Sequence, residues 1–131
     1  MYKRIMFKGL GGAGQRHLRL LRKLLPESSM FASRHTGLTP VLSSDFTVRS
    51  EATLESEYGI HIYDTIDEAY NQDPDLIVIA TPSSNHAESI IQAAERKVNI
   101  LVEKPGAVSV EQAESIISTV RRNKVDFFIS Y

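Results

Sequence analysis

Three short stretches of the sequence carry side chains whose types and spacing can do chemistry. "GLGGAG" sets Gly9, Gly11 and Gly14 in a G-x-G-x-x-G pattern, with Gly12 and Ala13 inside it. Gly9 permits a tight turn, Gly11 lets a pyrophosphate approach the backbone, and Gly14 lets a helix pack closely on a strand. Alone the pattern is weak, but it follows an apolar run and opens a helical one, so free amides at a helix amino terminus face the phosphates. A phosphate loop of the nucleoside-triphosphatase kind is excluded, because no Gly-Lys-Ser/Thr follows. The second stretch, "NILVEKPG", ends an apolar run in Glu103, Lys104 and Pro105. A partly desolvated ammonium beside a bound cofactor can give or take the proton of a substrate hydroxyl during hydride transfer, and Glu103 can hold it charged and oriented. A solvated lysine at a strand end is the ordinary alternative; confinement between Glu103 and Pro105 weighs against it. The third stretch is "TPSSNH", with Thr81, Pro82 and His86.

The cofactor's identity should be written at the end of the second strand, about 20 residues past the glycine loop, where NAD-preferring sites place an acidic residue for the ribose 2′-hydroxyl. The run here is "FASRH", which puts Ser33 and Arg34 at that place. A hydroxyl with a guanidinium suits a 2′-phosphate better than a bare hydroxyl, so NADP is expected over NAD. The alternative is that Arg34 only starts the next loop and points to solvent.

These stretches need a scaffold, and the chain alternates short apolar runs with helical patterns. Strands are expected near residues 4–8, 30–33, 60–63, 75–81, 99–103 and 126–130. "GQRHLRLLRKLL" reads as an amphipathic helix with Leu18, Leu21, Leu24 and Leu25 on one face. Capping boxes start later helices at Thr65 with Glu68 and at Ser109 with Gln112, and Asn85 with Glu88 is a weaker version. The fourth and fifth strands are nearly uninterrupted Leu, Ile and Val, as parallel strands covered on both faces require. The expected fold is therefore α/β: a Rossmann-type, doubly wound, mostly parallel sheet of about six strands with helices on both faces. In such a sheet ligands lie outside the carboxyl ends of the strands, and Thr81, Pro82, His86 and Lys104 all fall on that edge. Residues 35–50, "HTGLTPVLSSDFTVRS", break the rhythm and read as an insertion with two β-leaning pieces, a small hairpin.

Bulk properties exclude several classes. At 131 residues with 42% hydrophobic and 24% charged side chains, the chain fits one domain. Fifteen basic and sixteen acidic residues leave a net charge of −1, too little to hold a nucleic acid or an anionic membrane. No signal peptide or membrane span is legible, so a cytoplasmic protein is expected. Without cysteine there is no disulfide, no thiolate nucleophile and no sulfur-based zinc site. The four histidines are scattered without carboxylates at metal spacing, and no G-x-S-x-G elbow exists, so no metal or hydrolase site is expected.

"GLGGAGQRH", "TPSSNH" and "EKPGAVSVEQA", in this order along the chain, resemble the Gfo/Idh/MocA family of NAD(P)-dependent oxidoreductases. The resemblance implies that Lys104 contributes to catalysis and to placing the nicotinamide, and that Thr81, Pro82 and His86 lie along the cofactor, with Glu103 and Pro105 beside it. It implies sugar, polyol or sugar-nucleotide substrates. It also implies a second domain, absent from these residues, that contributes substrate contacts, further proton-transfer groups and an oligomer interface. The chain is thus expected to be a cofactor-binding domain over 1–131 that turns over little by itself. Two other readings stay open: a non-catalytic dinucleotide-binding module, and a nucleotide-sugar-binding domain without redox chemistry. Lys8 departs from the family pattern, which ends the first strand in an aliphatic residue. It is either a cation for phosphate or a buried amine.

Overall fold

The computed structural model describes residues 1–33, 40–49 and 51–131. Six strands form one sheet: β1 (Arg4–Lys8), β2 (Ser29–Ser33), β5 (His61–Tyr63), β6 (Leu76–Ile79), β7 (Asn99–Glu103) and β8 (Phe127–Ser130). Their order is β5-β2-β1-β6-β7-β8 and every pairing is parallel. The order reverses direction between β1 and β6, which opens a crevice where the two chain halves diverge. The expected doubly wound sheet is therefore present, each strand lying within a residue or two of its apolar run.

Alternate side chains of the strands feed two cores. Ile5, Phe7, Leu76 and Val78 pack with Leu18 of α1 (Gly12–Leu24) and Leu54 of α2 (Leu54–Tyr58). Met6, Ile77, Ile79, Ile100 and Val102 pack on the opposite face, against α3 (Ile66–Tyr70), α4 (His86–Glu95) and α5 (Val110–Asn123). All four residues of β6 are buried, as a fully covered strand requires. The fifth strand departs from expectation. β7 buries Ile100 and Val102 on one face but leaves Asn99, Leu101 and Glu103 only partly covered, with Leu101 at the margin of the core beneath α1 and α2. Leu24 departs too: it is 73% exposed, while Leu18, Leu21 and Leu25 form the packed stripe of α1 and its end.

Thr65 and Glu68 close a reciprocal capping box on α3. At α5 half of the box is made. Ser109 accepts from the Gln112 amide, but the Gln112 side chain turns back to the Val108 amide. Asn85 makes no side-chain cap; a 3-10 turn over Ser83–Asn85 leads into α4 instead. A further box, Thr53 with Ser56, starts α2. Within the insertion, β3 (Val41–Leu42) pairs antiparallel with β4 (Val48–Arg49), the expected small hairpin. Residues 35–39 and 50 of the insertion lie outside the described residues. No helix among the described residues is long and apolar enough to cross a membrane.

Candidate functional site

A cleft of about 710 Å³ opens at the carboxyl edge above β1 and β6, lined by Gly9, Gly11, Ser33, Thr81 and Pro82 among the expected residues. Gly9 turns the chain out of β1 with φ of 95°, and a Cβ there would lie 2.6 Å from the Ala80 carbonyl. A Cβ on Gly14 would lie 2.0 Å from the Gly9 carbonyl oxygen, so this glycine lets α1 sit against the loop. Gly11 differs: a Cβ there would meet nothing within 4 Å among the described residues. Its lack of a side chain serves open space beside the start of α1, where a phosphate would approach the free amides. Gly12 serves the protein itself, since a Cβ there would strike the Phe46 ring at 2.5 Å. Ala13 is exposed in the first turn of α1.

Lys8, Glu88 and Ser89 also line the cleft. Burial pushes the Lys8 ammonium below its ordinary pKa, and the Glu88 carboxylate pulls in the opposite direction. The hydroxyls of Thr81 and Ser89 are buried without a hydrogen-bond partner among the described residues. Unpaired buried hydroxyls on the wall of an open cleft are what a polar ligand would satisfy. Arg34 lies outside the described residues; Ser33, before it, is on the cleft wall.

The "TPSSNH" and "EKPG" stretches are joined by His86. Its ring is buried, with Nδ1 2.7 Å from the Pro105 carbonyl oxygen and Nε2 2.8 Å from the Thr81 carbonyl oxygen. Each ring nitrogen lies within hydrogen-bond distance of a carbonyl oxygen and the ring N–H donates to one of them, so His86 braces two loops and does not present its ring to the cleft. Glu103 is likewise occupied. Its Oε1 lies 2.5 Å from His17 Nε2 and accepts from Arg16 Nη2 at 3.1 Å, both on α1. Burial pushes the Glu103 carboxyl up, but the hydrogen bond and charge of His17, then Arg16 and the Lys104 amide, outweigh it and hold the pKa below the ordinary value. No ion pair joins Glu103 to Lys104 among the described residues. Lys104 and Pro105 are exposed, and the peptide between them is cis. Lys104 therefore stands exposed on the edge, oriented through the backbone between two braced neighbours.

Gln15 escaped the sequence reading. It is buried on α1, where Nε2 donates to the Leu10 and Pro40 carbonyls at 2.9 and 2.8 Å and Oε1 accepts from the Leu42 amide at 2.7 Å. One side chain thus ties the glycine loop to the inserted hairpin. The available signal was an amide residue directly after Gly14 on a helix otherwise divided into leucines and cations. The His17 link to Glu103 was missed for a similar reason, since 86 residues separate the partners.

Comparison with known proteins agrees with this geometry. The family described as "Oxidoreductase family, NAD-binding Rossmann fold" matches residues 3–131. The rhizopine catabolism protein MocA of Rhizobium meliloti is 27% identical over 129 residues, 98% of this chain and 37% of that protein. The NAD(+)-dependent scyllo-inositol 2-dehydrogenase of Bacillus subtilis is 39% identical over 56 residues, 41% of this chain and 16% of its own. Among solved structures, the WlbA dehydrogenase of Bordetella pertussis, in complex with NADH and UDP-GlcNAcA, superposes with a TM-score of 0.75 at 18% identity, over 98% of this chain and 34% of that one. The chain spans only 16% to 37% of the length of these relatives. With the glycine loop, the crevice and the match over nearly all of its length in hand, the chain belongs to the Gfo/Idh/MocA oxidoreductase family, of which it forms the NAD-binding Rossmann domain.

Proposed function

We propose that the cleft holds a nicotinamide dinucleotide and that the protein to which this domain belongs oxidises or reduces a sugar, polyol or sugar nucleotide. The observation that carries the reading is the open space over Gly11, at the start of α1, on the wall of a cleft whose lining residues Thr81 and Ser89 hold buried hydroxyls without a partner among the described residues. Gly9, Leu10 and Gly11 would pass the pyrophosphate along the loop, and Ser33 would meet the adenosine ribose. Thr81 and Pro82 would flank the cofactor across the crevice. When bound, the nicotinamide supplies the hydride donor or acceptor. Lys104, exposed on the same edge, would hold or receive the substrate proton at Nζ, while His86 and Glu103 fix the loop that carries it.

The preference for NADP rests on residue types alone, a hydroxyl at Ser33 and a guanidinium at Arg34 in a run, "FASRH", that holds no carboxylate. Substrate contacts, oligomer formation and turnover belong in this reading to parts of the protein beyond these residues, and the domain by itself binds cofactor with little activity. Calorimetric titration of the 131-residue chain with NAD and NADP, wild type against Arg34→Ala, tests it. Saturable binding of either dinucleotide is expected, with the NADP affinity alone reduced in the variant. Heats no larger than those of AMP would defeat the reading, and an unchanged NADP affinity would remove the basis for the preference.

A further inference from the structure

The inserted hairpin reaches Gly12 at the start of α1, next to Gly11 on the cleft wall, and its tip is held by a dense set of hydrogen bonds. Val41 is fully buried in the core beneath α1, Gln15 grips Pro40 and Leu42, and Arg19 donates to the Leu42 carbonyl at 3.2 Å. At the tip, Asp45 Oδ1 accepts from the Ser43 hydroxyl at 2.7 Å, from the Thr47 amide at 3.0 Å and from the Thr47 hydroxyl. The Phe46 amide donates to the Ser43 carbonyl at 2.9 Å. These bonds hold Phe46 at φ of 66°, a left-handed conformation that a bulky side chain rarely adopts. The strained residue lays its ring on Gly12, the first residue of α1, in space that any Cβ would fill. Even so, Phe46 is 62% exposed. An aromatic ring held under strain, still largely uncovered and one residue from the open space over Gly11, is seated to meet something that arrives there.

We infer that Phe46 is the outer wall of the pyrophosphate subsite, a positioning residue that shields the phosphate and the amides at the start of α1 from water. The inference rests on the dinucleotide reading above and assigns a role to the insertion. Excluding water lowers the local dielectric and strengthens amide–phosphate hydrogen bonds, so the ring acts on affinity without making a polar contact. Gly12 in this account is a seat for the ring, a different duty from that of Gly11.

The test is titration of NAD, NADP and ADP-ribose into wild type, Phe46→Leu, Phe46→Ala, Gly12→Ala and the double variant Gly12→Ala/Phe46→Ala, with folding followed by circular dichroism. Phe46→Ala should weaken all three ligands by about fivefold to tenfold, and Phe46→Leu by less, as expected for partial loss of an apolar wall. Gly12→Ala should weaken them alone, by displacing the ring, but cost almost nothing in the Phe46→Ala background. Phe46→Ala and Phe46→Leu binding within twofold of wild type would overturn the inference, as would a Gly12→Ala cost of the same size in both backgrounds. A wild type that binds none of the three ligands would overturn the dinucleotide reading, and this inference with it.

Discussion

At the β1–α1 corner the chain makes a site by removing side chains, whereas at the β7 corner it makes one by tying side chains down. Gly9, Gly12 and Gly14 clear space for Ala80, for Phe46 and for the loop itself, and Gly11 faces open space among the described residues, which the proposed function gives to a ligand. Around Glu103 to Pro105 the polar groups are tied down instead, His86 between two carbonyls and Glu103 by α1, while Lys104 has no ion-pair partner among the described residues. The first corner is suited to holding a ligand's phosphates with backbone amides. The second is suited to presenting one movable proton carrier from a fixed loop. Under the proposed function, holding and proton transfer fall to the loops after two different strands, and they should fail separately.

The largest failures belong to the glycine corner. Gly14→Ala drives a methyl into the Gly9 carbonyl oxygen, and Gly9→Ala adds a positive φ to a collision with Ala80. Each should cost about 3 kcal/mol or more, from backbone strain and overpacking together. Thermal melts should then fall on the order of 10 °C. A shift of under about 2 °C would show that the loop can relax and that close packing is not what these glycines provide.

His86→Ala comes next. It strips the ring partner from the Thr81 and Pro105 carbonyls and opens a buried hole, at about 2–4 kcal/mol. Amide exchange should quicken at 81–86 and 104–106 while the glycine loop stays protected. Equal loosening at both corners would break the separation drawn above. Gln15→Ala is the mirror experiment and should cost about 2 kcal/mol. It should loosen the hairpin and Leu10 but leave the Lys104 loop protected.

Smaller effects come from two carboxylates, one at each corner. Glu103 titrates below its ordinary value, so its contribution is complete above that value and is lost as pH falls below it. Glu103→Gln should cost about 1 kcal/mol at neutral pH and remove that part of the acid sensitivity. Asp45 is held down to a pKa of about 2 from 3.8, first by the Thr47 hydroxyl and then by Ser43. Its grip on the hairpin tip is therefore complete above about 4 and is released only as pH falls through about 2. Acid titration followed by the amide resonance of Thr47 should show this release near pH 2. A release near the ordinary carboxyl value of 3.8 would contradict the hydrogen-bond account of the tip.

The parts legible in the sequence were those specified locally. Uninterrupted runs such as that of β6 announce a covered strand, and Gly9, Gly11 and Gly14 announce a turn between strand and helix because each spacing has a steric cause. What escaped depends on which elements meet. The pattern of β7 resembles that of β6, but only the placement of α1 and α2 decides that one of its faces is only partly covered. Gln15 and Glu103 find partners 25 to 87 residues distant, and no periodicity points to them. Phe46 in "SSDFT" reads as one more exposed turn residue until the strained backbone and the vacant Cβ position of Gly12 are seen together.

The central claim, that the open space over Gly11 receives the cofactor's pyrophosphate, is tested most directly by calorimetric titration of Gly11→Val with NAD and NADP, with a thermal melt of the same sample. Gly11 has an ordinary φ of −75° and an added Cβ meets nothing among the described residues, so the melting temperature should stay close to that of wild type while binding of both dinucleotides is lost. A Gly11→Val chain that melts like wild type and binds either dinucleotide equally well would contradict the account.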